Sequence, residues 1–489
     1  MKKIRLIIPF LFGLIGVFSF APFSIKFLIF ISYAYLIKTI LYEDKDSFWK
    51  VFVWGLGHWG FGMSWIIVSV YYYGETTILL SSVIYFLLIT ILTLVFTCPL
   101  LTLNTLLKFL ELNNNFTKAF FISSILMVSE FSRYYLLNGV PWLIPGNIFL
   151  DTYTQNIYPL FGVAAGSFLI YFLASIFITY KTNNISYLSL IIIVISLIPE
   201  NKPFNFEDGV KVSIIQPSSD PFLKYESNYS YKIEENLKRL ISKISNDSKL
   251  IILPEAELPY PIESPRFETF INNIDAKDRM LLGAWTYKGN KLYNSIYSPK
   301  YEESYKKSNL VPFGEYIPFL DGLRGLISFF DLPMSNVSHG DVNQKNIHIL
   351  NNIEISAPIC FDIAFSDTVR KMNKSSLLMV NVSNDTWFGD SIGPYQHLSI
   401  SRVRAIENNR WTIRATNDGI SAIISNKGTI VDYLSKGRSD ILEGQVKLVS
   451  DRTFYSTIGY KFIYSLSLMI IFITILSSIW KKYSKNSLK

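Results

Sequence analysis

Apolar positions run in long blocks through the first part of the chain, in short bursts through its middle, and in one more block near the end. Eight blocks, near 6–23, 26–41, 51–72, 77–102, 118–136, 158–180, 184–199 and 459–480, approach the roughly 20 residues a helix needs to cross a bilayer. The first, MKKIRLIIPFLFGLIGVFSFAPF, has the outline of a secretory signal peptide. It lacks a small-x-small cleavage site and leads straight into further apolar blocks, so it predicts an uncleaved span. Between 201 and 455 the pattern changes. KVSIIQP, KLIILPE, MLLGAWTY, IEISAPIC and SSLLMVNVSND are short, β-branched and closed by turn residues, which predicts buried strands. NYSYKIEENLKRLISKIS places Ile233, Leu237, Leu240, Ile241 and Ile244 at helical spacing, and HLSISRVRAIENNR also reads as a helix. ISAIISNKGTIVDYL predicts a hairpin turning at Asn426, Lys427 and Gly428. Strands, helices and hairpins in this order predict layered sheets with helices outside. The expected organisation is therefore seven membrane helices in 1–200, an α/β domain in 201–455, and a last membrane helix with a basic tail in 456–489.

Charge sets the orientation. Charged residues make up only 17% of the 489 residues, against roughly 25% in soluble domains. Lys2, Lys3 and Arg5, then Lys45 and Lys50, then Lys108 and Lys118, then Lys181, then Lys481, Lys482, Lys485 and Lys489 occupy alternate loops. The positive-inside rule puts those loops and both termini in the cytoplasm. The 201–455 domain is then expected on the periplasmic face of a bacterial inner membrane. The net charge of +8 comes mostly from these flanks and does not call for a nucleic-acid partner. Few ionisable residues interrupt the spans, Glu130 being the main one, which argues against a transporter.

The domain holds a single cysteine, Cys360, at the end of ISAPIC; the other cysteine of the chain, Cys98, lies in an apolar block. An oxidising compartment makes a lone thiol a hazard unless it is buried or used. Taken alone, Cys360 reads as a small core hydrophobe, Glu255 as a turn residue and Lys307 as surface charge. Together they form a chemical set: a nucleophilic thiol, a carboxylate to take its proton and an ammonium for a developing oxyanion. A helix beginning at Phe361 would further favour the thiolate. The four histidines, His58, His339, His348 and His397, show no metal-ligand spacing, so no metal is expected.

The segments around these residues resemble the nitrilase superfamily and, within it, the apolipoprotein N-acyltransferase family. YKKSNLVPFGEYIPF, VNVSNDTWFGDSIGPYQHLSISRVRAIENNR and RATNDGISAII carry the resemblance in the domain. GHWGFGMSWIIVSV, SEFSRYYLLNGVPWLIPGN and FAPF carry it in the apolar half. The resemblance implies eight spans with an αββα domain inserted before the last. It also implies acyl transfer from a phospholipid to the α-amine of a diacylglyceryl-cysteine on an apolipoprotein, without a cofactor, through a thioester. Glu255 would be the general base, Lys307 the oxyanion stabiliser and Cys360 the nucleophile. Glu315 would support the site, and Asn384 and Trp387 would shape the pocket. The sequence departs from the family in three places. Phe361-Asp362 replaces the usual Tyr-Glu, LPEAELP replaces a Trp-Pro-Glu-Ser-Ala pattern, and Tyr225 stands where a tryptophan is common. An apolar stretch at 316–334, with Phe319, Leu320 and Leu326, is expected to act as a lid toward lipid. Two alternatives remain open: a membrane-tethered amidase or thioester hydrolase, and an inactive lipoprotein-binding scaffold.

Overall fold

The apolar blocks become helices: Ile4–Val17, Leu28–Tyr42, Ser47–Gly62, Ile78–Leu110, Asn115–Ser132, Val163–Tyr180, Asn184–Ser196 and Lys461–Ser487. This computed structural model describes residues 4–42, 47–73, 76–135, 139–181, 183–200, 208–221, 223–312, 314–316 and 336–487. Two compact units result. Met1–Ile67, Ile78–Asn201 and Ile458–Lys489 form one; Val68–Thr77 and Lys202–Thr457 form the other. The second unit thus takes in a short segment from the apolar half of the chain.

In the helical unit, three helices among the described residues are long and apolar enough to cross a membrane: Ile78–Leu110, Val163–Tyr180 and Lys461–Ser484. There are four if Ser47–Gly62 and Trp65–Tyr72 make one broken span. Leu6–Val17, Leu28–Tyr42 and Asn184–Ser196 are apolar but shorter. Helices Ile4–Val17 and Ser47–Gly62 meet at glycines: a Cβ on Gly13 would overlap the Trp54 carbonyl, and one on Gly57 that of Phe10. Glu130 is fully buried and accepts hydrogen bonds from Tyr171 Oη (2.8 Å) and Tyr464 Oη (2.6 Å). One carboxylate therefore ties three helices together.

Among the described residues, the second unit has twelve strands: β1 (Val210–Gln216), β2 (Leu250–Ile252), β3 (Met280–Lys288), β4 (Lys291–Ser298), β5 (Glu303–Lys306), β6 (Ile347–Ile349), β7 (Ile353–Ser356), β8 (Leu378–Ser383), β9 (Thr412–Thr416), β10 (Ser421–Ile424), β11 (Ile430–Leu434) and β12 (Asp440–Val446). They form two six-stranded sheets, in orders β12-β1-β2-β3-β4-β5 and β11-β10-β9-β8-β7-β6. β1, β2 and β3 are parallel, as are β7, β8 and β9; antiparallel strands flank both sets.

Period-two alternation assigns the faces. Val212, Ile214, Leu250 and Ile252 of one sheet meet Ile355, Leu378, Val380, Val382 and Ile413 of the other in a shared core. Ile215, Ile251 and Leu253 point outward instead, against Ile233, Leu237 and Leu240 of helix Ser227–Ile241 and Phe267 and Phe270 of helix Pro265–Asn272. Helix Gly393–Asn408 covers the outer face of the other sheet through Leu398 and Ala405. The layers are helix, sheet, sheet, helix. The hairpin between β10 and β11 turns through Gly428, whose φ is +78° and whose N–H donates to Ser425 O at 2.9 Å.

Candidate active site

Four strand ends converge. Glu255 follows β2 and Lys307 follows β5; Cys360 lies just beyond β7, and Asn384 directly follows β8. Lys307, 1% exposed, places its ammonium 3.1 Å from Glu255 Oε1 and 2.9 Å from the Glu315 carboxylate. Asn294 Nδ2 on β4 donates to both carboxylates, at 2.6 Å to Glu255 and 3.1 Å to Glu315. The Asn384 N–H donates to Glu255 Oε2 at 2.8 Å, and the Val311 N–H to Glu315 Oε2 at 2.8 Å. Residues that follow β2, β5 and β8, with Asn294 from within β4, thus hold one another in place.

Electrostatics divide the roles. Burial pushes the Cys360 thiol up, the negative charges of Glu255 and Asp385 add to this, and Lys307 and a hydrogen bond with Ser383 pull the other way. The net direction is up, so the resting group is the thiol and a base must take its proton. Burial alone would pull the Lys307 ammonium down, but Glu255, Glu315 and Cys360 outweigh it and hold it well above the usual lysine range. Lysine is therefore the fixed cation of the cluster.

The backbone at Cys360 corrects one expectation. No α-helix begins at Phe361. Cys360 itself opens a five-residue 3-10 turn, Cys360–Ala364, and the next α-helix starts at Ser366. Cys360 has φ +44°, in the left-handed region, which lifts the side chain off the sheet direction. A single tight turn supplies little macrodipole, so the helix-terminus help for the thiolate is absent and Lys307 is the nearby cation instead.

The supporting residues fall as follows. Asp362 is buried in the same turn and accepts from Asn309 N (2.7 Å), Asn309 Nδ2 (2.8 Å), Tyr305 Oη (3.2 Å) and Ile359 N (3.3 Å). Burial pushes its carboxyl up to about 6, with Lys307 and the Asn309 groups acting against the rise. It ties the lysine loop to the cysteine turn. Phe361 packs edge-on against Phe365 at 5.1 Å. Tyr225 and Trp387 line one apolar cluster with Ala256, Trp285, Leu310, Tyr316 and Val337. Phe319, Leu320 and Leu326 lie outside the described residues. Among the described residues, no group of three or more His, Cys, Asp or Glu side chains is placed to hold a metal.

Several residues of the site were not singled out from the sequence. Asn294 is an interior polar position on β4, legible only once its strand is known. Asp385, His397 and Arg414 form a buried network: His397 Nδ1 lies 3.0 Å from Asp385 Oδ1, and Arg414 Nη2 donates to Asp385 Oδ2 at 2.6 Å. Beside Glu255, Glu257 accepts from the Ser219 hydroxyl, and Lys224 Nζ donates to Ala256 O at 2.7 Å. Burial pushes the Glu257 carboxyl up to about 7, against Lys224 and Ser219.

Known proteins align with both halves. Residues 12–176 match the apolipoprotein N-acyltransferase N-terminal domain, and residues 211–453 match the carbon-nitrogen hydrolase family, the nitrilase-like domain. The apolipoprotein N-acyltransferase of Pasteurella multocida (strain Pm70) is 31% identical over 94% of this chain and 92% of its own length. That of Haemophilus influenzae (strain ATCC 51907 / DSM 11121 / KW20 / Rd) is 30% identical, over 96% and 94%. With an apolar helical half and a two-sheet nitrilase-like domain in the matching order, the chain belongs to the apolipoprotein N-acyltransferase family.

Proposed function

We propose that Glu255, Lys307 and Cys360 carry the acyl transfer. Glu255 takes the Cys360 proton, and the thiolate attacks the ester carbonyl of a phospholipid. Two of the three Lys307 protons are committed to Glu255 and Glu315; the third stabilises the oxyanion of the tetrahedral intermediate. Collapse breaks the ester C–O bond, Glu255 returns its proton to the leaving alkoxide, and a lysophospholipid departs from a Cys360 thioester. The α-amine of a diacylglyceryl-cysteine then attacks the thioester. Its proton passes through Glu255 to the departing thiolate, giving an amide and the free thiol. Splitting the transfer in this way is the logic of covalent catalysis.

The observation that carries the reading is the buried Lys307 held between Glu255 and Glu315 at 3.1 and 2.9 Å, with its charge acting on Cys360. The aromatic wall of Tyr225, Trp285, Tyr316 and Trp387 supports an acyl-chain substrate. We read the helical half as eight spans, because apolar helices occupy all eight blocks and the lysines alternate between loops. The protein then sits in a bacterial inner membrane with both termini cytoplasmic and the catalytic unit periplasmic.

The test is the mass of the intact protein and of its Cys360 peptide after incubation with phospholipid and no acceptor. A fatty-acyl adduct on Cys360, removed by hydroxylamine and missing in Cys360→Ala, is expected. A diacylated lipopeptide should then discharge the adduct onto its amine. Discharge to free fatty acid would indicate a hydrolase, and a folded protein with no adduct would sink the assignment.

A further inference from the structure

One helix face holds the back of the cysteine turn. His397, Ser401 and Arg404 recur at i, i+4 and i+7 on helix Gly393–Asn408, and all three are buried. Residues at that spacing share one face. Arg404 Nε donates to Ile363 O at 3.0 Å, and Arg404 Nη2 to Ala364 O at 3.0 Å. His397 Nε2 lies 3.2 Å from Cys360 O. The carbonyls at the start and the end of the turn are thus held by a single element.

We propose that His397 is a positioning residue for the nucleophile: its Nε2–H holds the Cys360 carbonyl and so fixes the left-handed backbone that presents the thiol to Glu255 and Lys307. This rests on the reading of Cys360 as the nucleophile. A non-glycine residue in the left-handed region is strained and persists only where its surroundings over-determine it. At Cys360 the preceding residues are restrained by Asn381 Nδ2, which donates to Pro358 O at 2.9 Å, and by the Ile359 and Asp362 backbone groups. The Cys360 carbonyl is held by His397.

The ring is held as firmly as it holds. A carbonyl only accepts, so Nε2 carries the proton. Arg414 Nη2, 3.0 Å from Nδ1, supplies a donor to the other nitrogen, with Asp385 Oδ1 at 3.0 Å from the same atom. Asp385 is in turn fixed by Arg414 and by Ser383 Oγ, which donates at 2.7 Å. Arg414 Nη1 donates to Asn381 Oδ1 at 2.5 Å, so one guanidinium anchors both the Pro358 and the Cys360 restraints. Phe388 packs edge-on against the ring at 5.7 Å. Burial and the Arg414 charge pull the imidazole down and outweigh Asp385, so the ring stays neutral. With Nε2 on the Cys360 carbonyl, His397 acts through backbone.

Two amides separate this role from simple support of the network. In His397→Asn the amide oxygen reaches the place of Nδ1 and keeps the bond from Arg414, but leaves the Cys360 carbonyl unheld. In His397→Gln the amide nitrogen reaches the place of Nε2 and keeps the carbonyl bond. The full-length protein is to be incubated in phosphatidylethanolamine–phosphatidylglycerol mixed micelles without acceptor, and the rate of adduct formation on Cys360 followed by mass. We expect the Asn variant to be slowed by about 10²-fold, as for a reacting atom displaced by an ångström. The Gln variant should recover to within about 10-fold of wild type, with the half-saturating phospholipid concentration unchanged in both. An Asn variant as fast as the Gln variant, or a change confined to phospholipid affinity, overturns the role of His397. If the Asn variant does not fold, the Gln variant decides alone: acylation near wild type supports the role, and a folded Gln variant without acylation overturns it. A wild-type protein that takes no acyl group at Cys360 overturns the nucleophile assignment itself.

Discussion

At the scale of single residues, the site turns on unequal burial of charge. Glu255 and Glu315 both bond to the Lys307 ammonium, and both receive Asn294. Lys307→Met would leave two carboxylates facing each other without a cation. Breaking such a buried group destabilises by about 3–5 kcal/mol, and losing one oxyanion donor slows chemistry by about 10²–10³-fold. Thermal unfolding and the rate of Cys360 acylation should therefore both fall. A purely structural lysine would lower the first and spare the second in the protein that remains folded. Glu257 makes a separate prediction. Its folded pKa is raised from 4.5 to about 7, so the protonated carboxyl favours the fold. That stability is fully present below pH 4.5 and is lost as pH rises through 7. The difference is on the order of 3 kcal/mol. Unfolding midpoints of wild type and Glu257→Gln should coincide near pH 4.5, and wild type should lie below the variant at pH 8. Parallel curves across that range would show that Glu257 does not change charge on folding.

At the scale of elements, strands were legible and the decisive turn was not. KVSIIQP and SSLLMVNVSND announce β1 and β8 because a strand buried on both faces is apolar throughout and rich in β-branched residues. The helix at 227–241 is plain because Ile233, Leu237 and Leu240 repeat at its period. Nothing in ICFDIAF signals a left-handed cysteine, because that conformation is imposed by partners distant in sequence. The same turn explains a departure from the family habit. Asp362, in place of the usual Glu, meets four donors from Asn309, Tyr305 and Ile359. The shorter acid is built into this turn. Asp362→Glu should lower stability by about 1–3 kcal/mol, the range for forcing a methylene into a packed site. Asp362→Ala strands several buried donors at about 1–3 kcal/mol each. It should also slow Cys360 acylation, since it unties the lysine loop from the cysteine turn. An Asp362→Glu protein as stable as wild type would mean the turn has room to spare.

At the scale of the whole chain, hydropathy shows where helices lie but hides where one ends. The block at 51–72 reads as one span, yet helix Ser47–Gly62 stops early and Val68–Thr77 belongs to the catalytic unit. There Ser69 Oγ donates to Trp387 O at 2.7 Å, a contact between residues 318 apart in sequence. Glu130 shows the complementary limit. In the sequence it is the one conspicuous ionisable group of the spans; in the structure its two oxygens take Tyr171 and Tyr464, from helices Val163–Tyr180 and Lys461–Ser487. The last of these helices reaches the unit only after the whole catalytic domain has been synthesised, so Glu130 holds together pieces that sequence order keeps apart. Glu130→Leu would remove the acceptor that Tyr171 and Tyr464 share, at about 1 kcal/mol for each lost bond. Unfolding of the full-length protein in micelles should move to lower temperature, while alkylation of Cys360 in the folded fraction keeps its wild-type rate. Glu130→Gln retains one acceptor oxygen and should fall between. If Glu130 instead carried protons or ions through the helices, the Leu variant would keep its stability, and no order among the three proteins would be seen.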